Sequence, residues 1–162
     1  MYQSRIASGS CLRGLCVNDG ASYMVAGATD GSLTVFEMGK PKQERFTQLL
    51  ASYQGRPNCR VLAWRDSTKE IITGSEDGIV TVWSARRGHP VFVLQAHPGS
   101  AITQMLWLED RQQLITCAKD KHVKVWSLPR IWYDEDLSDD DEDEPVQAAP
   151  KEVPVTIVEP EH

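Results

Sequence analysis

Four carboxylates and one imidazole are the side chains best suited to proton transfer in this sequence: Asp30, Glu76, Asp77 and Asp120, with His97. Paired carboxylates, or a carboxylate beside a histidine, do acid–base work when a nucleophile and an oxyanion site accompany them. That company is missing. The sequence spells out no activated nucleophile, metal-ligand set or phosphate-cradling loop, and Gly27, Gly31, Gly74 and Gly78 stand at turns and strand exits, not in a dinucleotide fingerprint. Cys11, Cys16, Cys59 and Cys117 form no Cys-x-x-Cys pair and have no histidine at metal spacing. They read as buried free thiols of a reducing, intracellular compartment, cytoplasmic or nuclear. The expectation is no catalytic, metal-binding or cofactor-binding residues and no enzyme.

Spacing accounts for the carboxylates. Glu70-Ile-Ile-Thr-Gly-Ser-Glu-Asp-Gly-Ile-Val-Thr-Val-Trp83 returns as Gln113-Leu-Ile-Thr-Cys-Ala-Lys-Asp-Lys-His-Val-Lys-Val-Trp126, with Trp83 to Trp126 and Asp77 to Asp120 both separated by 43 residues. A weaker copy, Met24-Val-Ala-Gly-Ala-Thr-Asp-Gly-Ser-Leu-Thr-Val-Phe36, sets Asp30 and Phe36 each 47 residues before Asp77 and Trp83. A fixed period in this range signals a repeat architecture. Each copy is an apolar run, an Asp-centred turn and an alternating run ending in an aromatic residue, which predicts two antiparallel strands and a tight hairpin. Asp30, Asp77 and Asp120 then occupy equivalent turns.

These hairpins must be positioned by further strands. The first unit, near residues 12–51, offers strands at 12–17, 23–27, 32–37 and 45–51; the second, near 59–95, offers 60–64, 70–74, 79–83 and 90–95. The third, near 101–133, offers 101–108, 113–117 and 122–126, but no clear fourth strand; residues 127–133 could supply a short one or a docked segment. Residues 1–11 are a lead-in, of which 4–6 could add an outer strand. An all-β fold follows, and no apolar run reaches the roughly 20 residues needed to span a bilayer.

The repeats resemble the WD-repeat family of β-propellers over about residues 12–127. That resemblance implies four-stranded antiparallel blades, each pinned by a Trp on the third strand, a Ser or Thr on the second, a His in the loop before the first and an Asp in the second turn. The third unit has all four types in place: His97, Thr116, Asp120 and Trp126. The second has Thr73, Asp77 and Trp83, but its lead-in loop at 54–59 has no His; the first keeps Asp30, with Ala26 and Phe36 where a hydroxyl and an indole are implied. The Trp-Asp and Gly-His pairs of the family are here Trp83-Ser84, Trp126-Ser127 and Ala96-His97. A buried indole N–H needs an acceptor, and an imidazole can bridge a hydroxyl and a carboxylate, so these residues read as structural. Three units fall short of the roughly four to eight blades of a ring. The reading is a partial propeller, either a piece or shortened product of a longer one or an arc completed by another chain.

Charge divides the sequence. Residues 1–133 carry 16 Lys and Arg against 11 Asp and Glu, whereas 134–162 carry one Lys against 12. The run Asp134-Glu-Asp-Leu-Ser-Asp-Asp-Asp-Glu-Asp-Glu144 is too acidic to bury a core, and residues 134–162 read as an acidic, disordered tail. Ser138, followed by six acidic residues, resembles a substrate of casein kinase II-type kinases. Beyond it, the β-prone stretch 152–158 could add to an open sheet edge, the edge of this arc included, or remain a plain disordered end. Arg56, Arg60, Arg65 and Lys69, and Lys119, Lys121 and Lys124, read as a solvated rim, with binding of acidic partners or nucleic-acid phosphates as the sharper alternative. Arg86-Arg87-Gly88 resembles the lipid-binding motif of phosphoinositide propellers, but follows Ala85 directly after the third strand, which is the place of an ordinary hairpin loop. No membrane partner is expected.

The function these features imply is a non-enzymatic scaffold that joins other proteins within a larger complex. Its variable loops would do the binding, with the lead-in loops 54–59 and 97–100 on one rim and the hairpin turns on the other. The alternatives are a nuclear factor whose acidic tail binds basic proteins such as histones or ribosomal proteins, or a truncated product of a longer WD-repeat protein without an independent role.

Overall fold

Runs such as Ile-Val-Thr-Val-Trp and Val-Lys-Val-Trp are β-branched and aromatic, types that fit a pleated, half-buried surface. A computed structural model describes residues 10–38, 47–48, 59–128 and 151–153 of the chain, and in them every regular element is a strand. The strands form three four-stranded antiparallel sheets in sequential order. Blade 1 holds β1 (Leu12–Val17), β2 (Tyr23–Ala28), β3 (Leu33–Glu37) and β4 (Thr47–Gln48). Blade 2 holds β5 (Cys59–Arg65), β6 (Glu70–Ser75), β7 (Ile79–Ser84) and β8 (Pro90–Gln95). Blade 3 holds β9 (Ile102–Leu108), β10 (Gln113–Ala118), β11 (Val123–Ser127) and β12 (Lys151–Val153).

The fourth strand of blade 3 comes from the far side of the acidic run. Val153 pairs with Val125, Glu152 with Trp126 and Lys151 with Ser127. Residues 151–153 thus take the open edge of β11, which corrects the reading of 134–162 as disordered throughout: the edge of β11 offers unpaired backbone groups, and the added strand overlaps the β-prone stretch 152–158 only at 152–153. The acidic run and Ser138 lie outside the described residues, as do the suggested strand at 4–6, the loop 54–59 up to residue 58 with Arg56, and most of 127–133.

The blades stack through their first strands, β1 against β5 and β5 against β9. Between blades 1 and 2 lie Val25, Leu33 and Val35 against Leu62, Ile71 and Trp83. Between blades 2 and 3 lie Ile72, Val80 and Val82 against Ile102, Met105, Leu114 and Trp126. β6 is buried along its whole length because blade 2 is covered on both faces. Gly74 is needed for this approach: a Cβ there would come within 2.7 Å of Val61 Cγ2 and 2.9 Å of Met105 Sδ.

Two rims result, and they sort the turns differently from the sequence expectation. The His97 N–H donates to the Gly78 carbonyl at 2.9 Å and the Gly99 N–H to that of Asp77 at 3.1 Å, so the Asp-centred turn shares its rim with the lead-in loop. In a sheet of sequential antiparallel strands, the second turn and the exit of the fourth strand necessarily lie at the same end. The opposite rim carries the first turns and, in blade 2, the loop after the third strand, tied by Ala85 N–H to Lys69 O at 3.0 Å. No helix among the described residues is long and apolar enough to cross a membrane.

Candidate functional site

His97 arrives at its position because the short connection after β8 is anchored to the blade 2 turn, and the ring then reaches into blade 3. Its Nε2 lies 2.9 Å from Thr116 Oγ1 and its Nδ1 lies 2.8 Å from Asp120 Oδ2. Trp126, on the neighbouring strand β11, donates its indole N–H to the same Thr116 oxygen at 3.0 Å. The four residues therefore meet. Each donor is used once if the indole N–H goes to Thr116, the Thr116 O–H to Nε2, and Nδ1–H to Asp120, an assignment that requires a neutral imidazole. His97 and Thr116 are wholly buried. The Asp120 carboxyl sits below its ordinary range, first through the backbone N–H of His122 and then through His97.

Blade 2 brings only part of its set together. The Trp83 indole N–H donates to Thr73 Oγ1 at 3.0 Å, and with no imidazole beside it Thr73 turns its O–H to the Thr81 carbonyl at 3.2 Å. Asp77 is taken instead by the Ser75 hydroxyl, two residues back in the same turn. In blade 1, Asp30 accepts the Ser32 hydroxyl at 2.6 Å and the Ser32 N–H at 2.9 Å. Those bonds, the hydroxyl foremost, hold its carboxyl below the usual range. Glu76 pairs with Arg60 at 3.1 Å.

The opposite rim holds a second network, which the sequence reading did not single out. Trp64 and Asp66, and 43 residues later Trp107 and Glu109, form the same indole-to-carboxylate bond, at 2.9 and 2.6 Å. Each carboxylate also reaches back one blade. Asp66 accepts the Asp19 N–H at 2.8 Å and the Asn18 amide at 3.4 Å; Glu109 accepts the Ser67 N–H at 3.2 Å and the Asp66 N–H at 3.3 Å. Burial alone would raise the Asp66 carboxyl, but the bonds from Asp19, Trp64 and Asn18 outweigh it and lower it. Glu109 behaves likewise, with Ser67, Trp107 and Gln112 against the burial. The recurring Trp-x-acid triplet was the signal available in the sequence.

Arg65 corrects the expectation of a solvated basic rim. Only 1% of its surface is exposed. Its guanidinium pairs with buried Glu70 at 3.1 Å, bonds Gln112 of blade 3 at 2.9 Å and lies 4.8 Å from the centre of the Trp107 ring. The side chain faces the neighbouring blade, where carboxylate, amide and indole replace water. Arg60 is committed to Glu76, Lys69 pairs with Asp66 at 3.4 Å, and Lys124 lies over the Trp126 ring at 5.4 Å. Lys119 and Lys121 remain exposed.

Burial pushes the Cys16 and Cys59 thiols up to about 12, with each other's proximity adding to Cys16, so neither carries the thiolate a nucleophile needs. Among the described residues, no group of three or more His, Cys, Asp and Glu is placed to hold a metal ion. The polar atoms of the site are spent on one another.

Sequential four-stranded sheets stacked through their first strands, with indoles tied to strand hydroxyls, define an array of β-propeller blades. The chain carries WD repeats: the family model described as WD domain, G-beta repeat matches residues 47–84 and 88–127. A relative from Botryotinia fuckeliana, eukaryotic translation initiation factor 3 subunit I, is 39% identical over 66 residues, or 40% of this chain and 20% of that protein. Actin-interacting protein 1 of Caenorhabditis elegans is 27% identical over 70 residues, 42% of this chain and 11% of that one. The match therefore spans a fifth or less of these relatives' length. Among solved structures, the Cps50 (Swd1) β-propeller domain of Myceliophteria thermophila aligns with a TM-score of 0.69 at 17% identity, covering 79% of this chain and 41% of that one. Chaetomium thermophilum Sqt1, bound to the N-terminus of ribosomal protein L10, aligns at 0.61 and 22% identity, covering 71% and 31%. At those identities the likeness is one of fold.

Proposed function

We propose that this chain is a non-enzymatic, intracellular scaffold whose blades hold loops in place for other proteins to bind. One observation supports this above the rest: both ring nitrogens of His97 are occupied by Thr116 and Asp120 with the ring wholly buried, which leaves this imidazole no free nitrogen to serve as a base. In this reading His97, Thr116, Asp120 and Trp126 hold blade 3, Thr73 and Trp83 hold blade 2, and Asp30 and Asp77 close their own turns. Specificity lies in the rims. That Sqt1 was solved with a segment of a ribosomal protein agrees with protein partners. The test is affinity capture of partners with the full chain and with two rim variants, Asp110→Ala with Arg111→Ala, and Lys119→Ala with Lys121→Ala. One pair should lose a defined partner while the thermal melt stays unchanged; capture lost only in variants that also unfold would contradict the scaffold.

A second reading concerns the acidic run. In the sequence, residues 134–144 fall between β11 and β12, which pair with each other in blade 3. In this reading the acidic run binds basic segments of other proteins, and phosphorylation of Ser138 would add roughly −1.5 to −2 charge to it. Changing the acidic residues of 134–144 to Asn and Gln should abolish salt-sensitive binding of a basic peptide such as a histone tail. Unchanged binding would dismiss this reading.

A further inference from the structure

The repeat maps each blade junction onto the chain's two outer faces. At the junctions, blade 2 presents Cys59, Leu62 and Trp64 to blade 1, and blade 3 presents Ile102, Met105 and Trp107 to blade 2. With separations of 43 and 47 residues, the same positions in blade 1 are Leu12, Leu15 and Val17. There they are exposed by 54, 64 and 44%, against 4% for Cys59 and 0% for Ile102. On the receiving side, blade 1 offers Val25, Leu33 and Val35 and blade 2 offers Ile72, Val80 and Val82; blade 3 carries Ile115, Val123 and Val125 there, with Leu106 beside them. Leu106 and Val123 are each 55% exposed. Apolar residues in such rows are interface surface.

We propose that the leading face of blade 1 docks on the trailing face of blade 3 of a second copy of this chain, closing two arcs into one ring. Each face has the residues that already mate inside the molecule, so the new junction continues an interface the chain itself displays. Three blades from each copy make six, within the roughly four to eight that rings contain, and a head-to-tail contact repeated once closes with two-fold symmetry. The polar clamp also has its open member. Asp19 stands 47 residues before Asp66, and 90 before Glu109. Its carboxylate is placed to accept backbone N–H groups from the partner's turn at Glu109 and Asp110, as Asp66 and Glu109 accept those of the turns before them. Val17 replaces the indole of Trp64 and Trp107, so this clamp relies on the backbone donors. At the closest approach, Cys117 replaces Gly27 and Gly74, while the shorter Leu15 replaces Met105 as the side chain that meets it. Leu12 and Leu15 stand where Cys59 and Leu62 meet Gly27, so the new junction must open slightly to seat the thiol.

The experiment is sedimentation of the full chain, alone and with charges placed on either face. Leu33 and Leu62 both border Gly27, so their equivalents Val123 and Leu15 should face each other across the junction. The expected mass is twice the 18.1 kDa of the chain. Leu15→Lys and Val123→Asp should each sediment as single chains, and an equimolar mixture should regain the double mass, since one junction then pairs Lys with Asp and the other is native. Both side chains are exposed, so the single variants should melt as cooperative blades. A wild-type chain at single mass, a heterogeneous aggregate, or a mixture that stays at single mass would overturn the proposal.

Discussion

Asp66 accepts the backbone N–H of Asp19 at 2.8 Å, across the boundary between two blades and 47 residues back in sequence. The same carboxylate is held by the Trp64 indole of its own blade, so one side chain fixes both the turn and the spacing of its neighbour. Asp66→Ala should destabilise the chain by about 1.5–3 kcal/mol, the range for hydrogen bonds to charged groups. Chemical denaturation would read this, and Asp66→Asn, which keeps an acceptor, should recover part of the loss.

His97→Ala removes partners from Thr116 and Asp120 and opens a cavity, so we expect a loss of about 2–4 kcal/mol. Thr73→Val in blade 2, where no imidazole depends on the hydroxyl, should cost about 1 kcal/mol. Comparable losses at the two sites would show that the imidazole adds nothing.

The buried pair of Arg65 and Glu70 predicts that removing one partner costs far more than replacing both. Arg65→Ala leaves a buried carboxylate unmatched and should cost about 3–5 kcal/mol, whereas Arg65→Met combined with Glu70→Leu should be near neutral. Burial already holds the Glu70 carboxyl above its ordinary value, ahead of the opposing bonds from Thr68 and Arg65. Equilibrium melts of the two variants decide between the outcomes.

The carboxylates also set a pH dependence. Asp66, Glu109, Asp30 and Asp120 are lowered in the folded chain, so below the ordinary carboxylate range the unfolded state binds more protons and stability falls with pH. Their contribution is complete above the ordinary values of 3.8 and 4.5 and is lost as pH drops through the folded values. Glu70, being raised, opposes this. Melting temperature should decline from about pH 5 downwards, and less steeply in Asp66→Asn.

Position 121 is the equivalent of Gly31 and Gly78 in the Asp-centred turns, and all three have positive φ, at 67° for Lys121, 87° for Gly31 and 83° for Gly78. Lys121→Gly should raise stability by up to about 1 kcal/mol. Gly78→Ala should be severe, since a Cβ would lie 1.6 Å from the His97 carbonyl oxygen.

The strands and the blade 3 set were legible because both follow from a short period: β7 and β11 end on the same Val-x-Val-Trp pattern, and His97 and Asp120 fall at fixed offsets from it. The fourth strand of blade 3 was harder to place, because the connection from β11 to Lys151 runs through an acidic stretch with no repeat spacing. Arg65 looked like one of several surface cations, and nothing local to it reveals that Glu70, Gln112 and Trp107 converge there. Trp64 and Trp107 recur at the period, but they lie on first strands, outside the hairpins on which the repeat was read. Assigning rims needed the strand order, which the hairpins alone do not supply.

The most direct test of the claim that the repeats' polar side chains serve to fix blades is hydrogen exchange at the indole N–H groups, followed by NMR in the full chain. The Trp126 and Trp83 indoles, bonded at 3.0 Å to Thr116 and Thr73, should exchange only through global unfolding, and Thr116→Val should release Trp126 while leaving Trp83 protected. Exchange of Trp126 at the rate of a free indole, or protection indifferent to Thr116, would contradict the account.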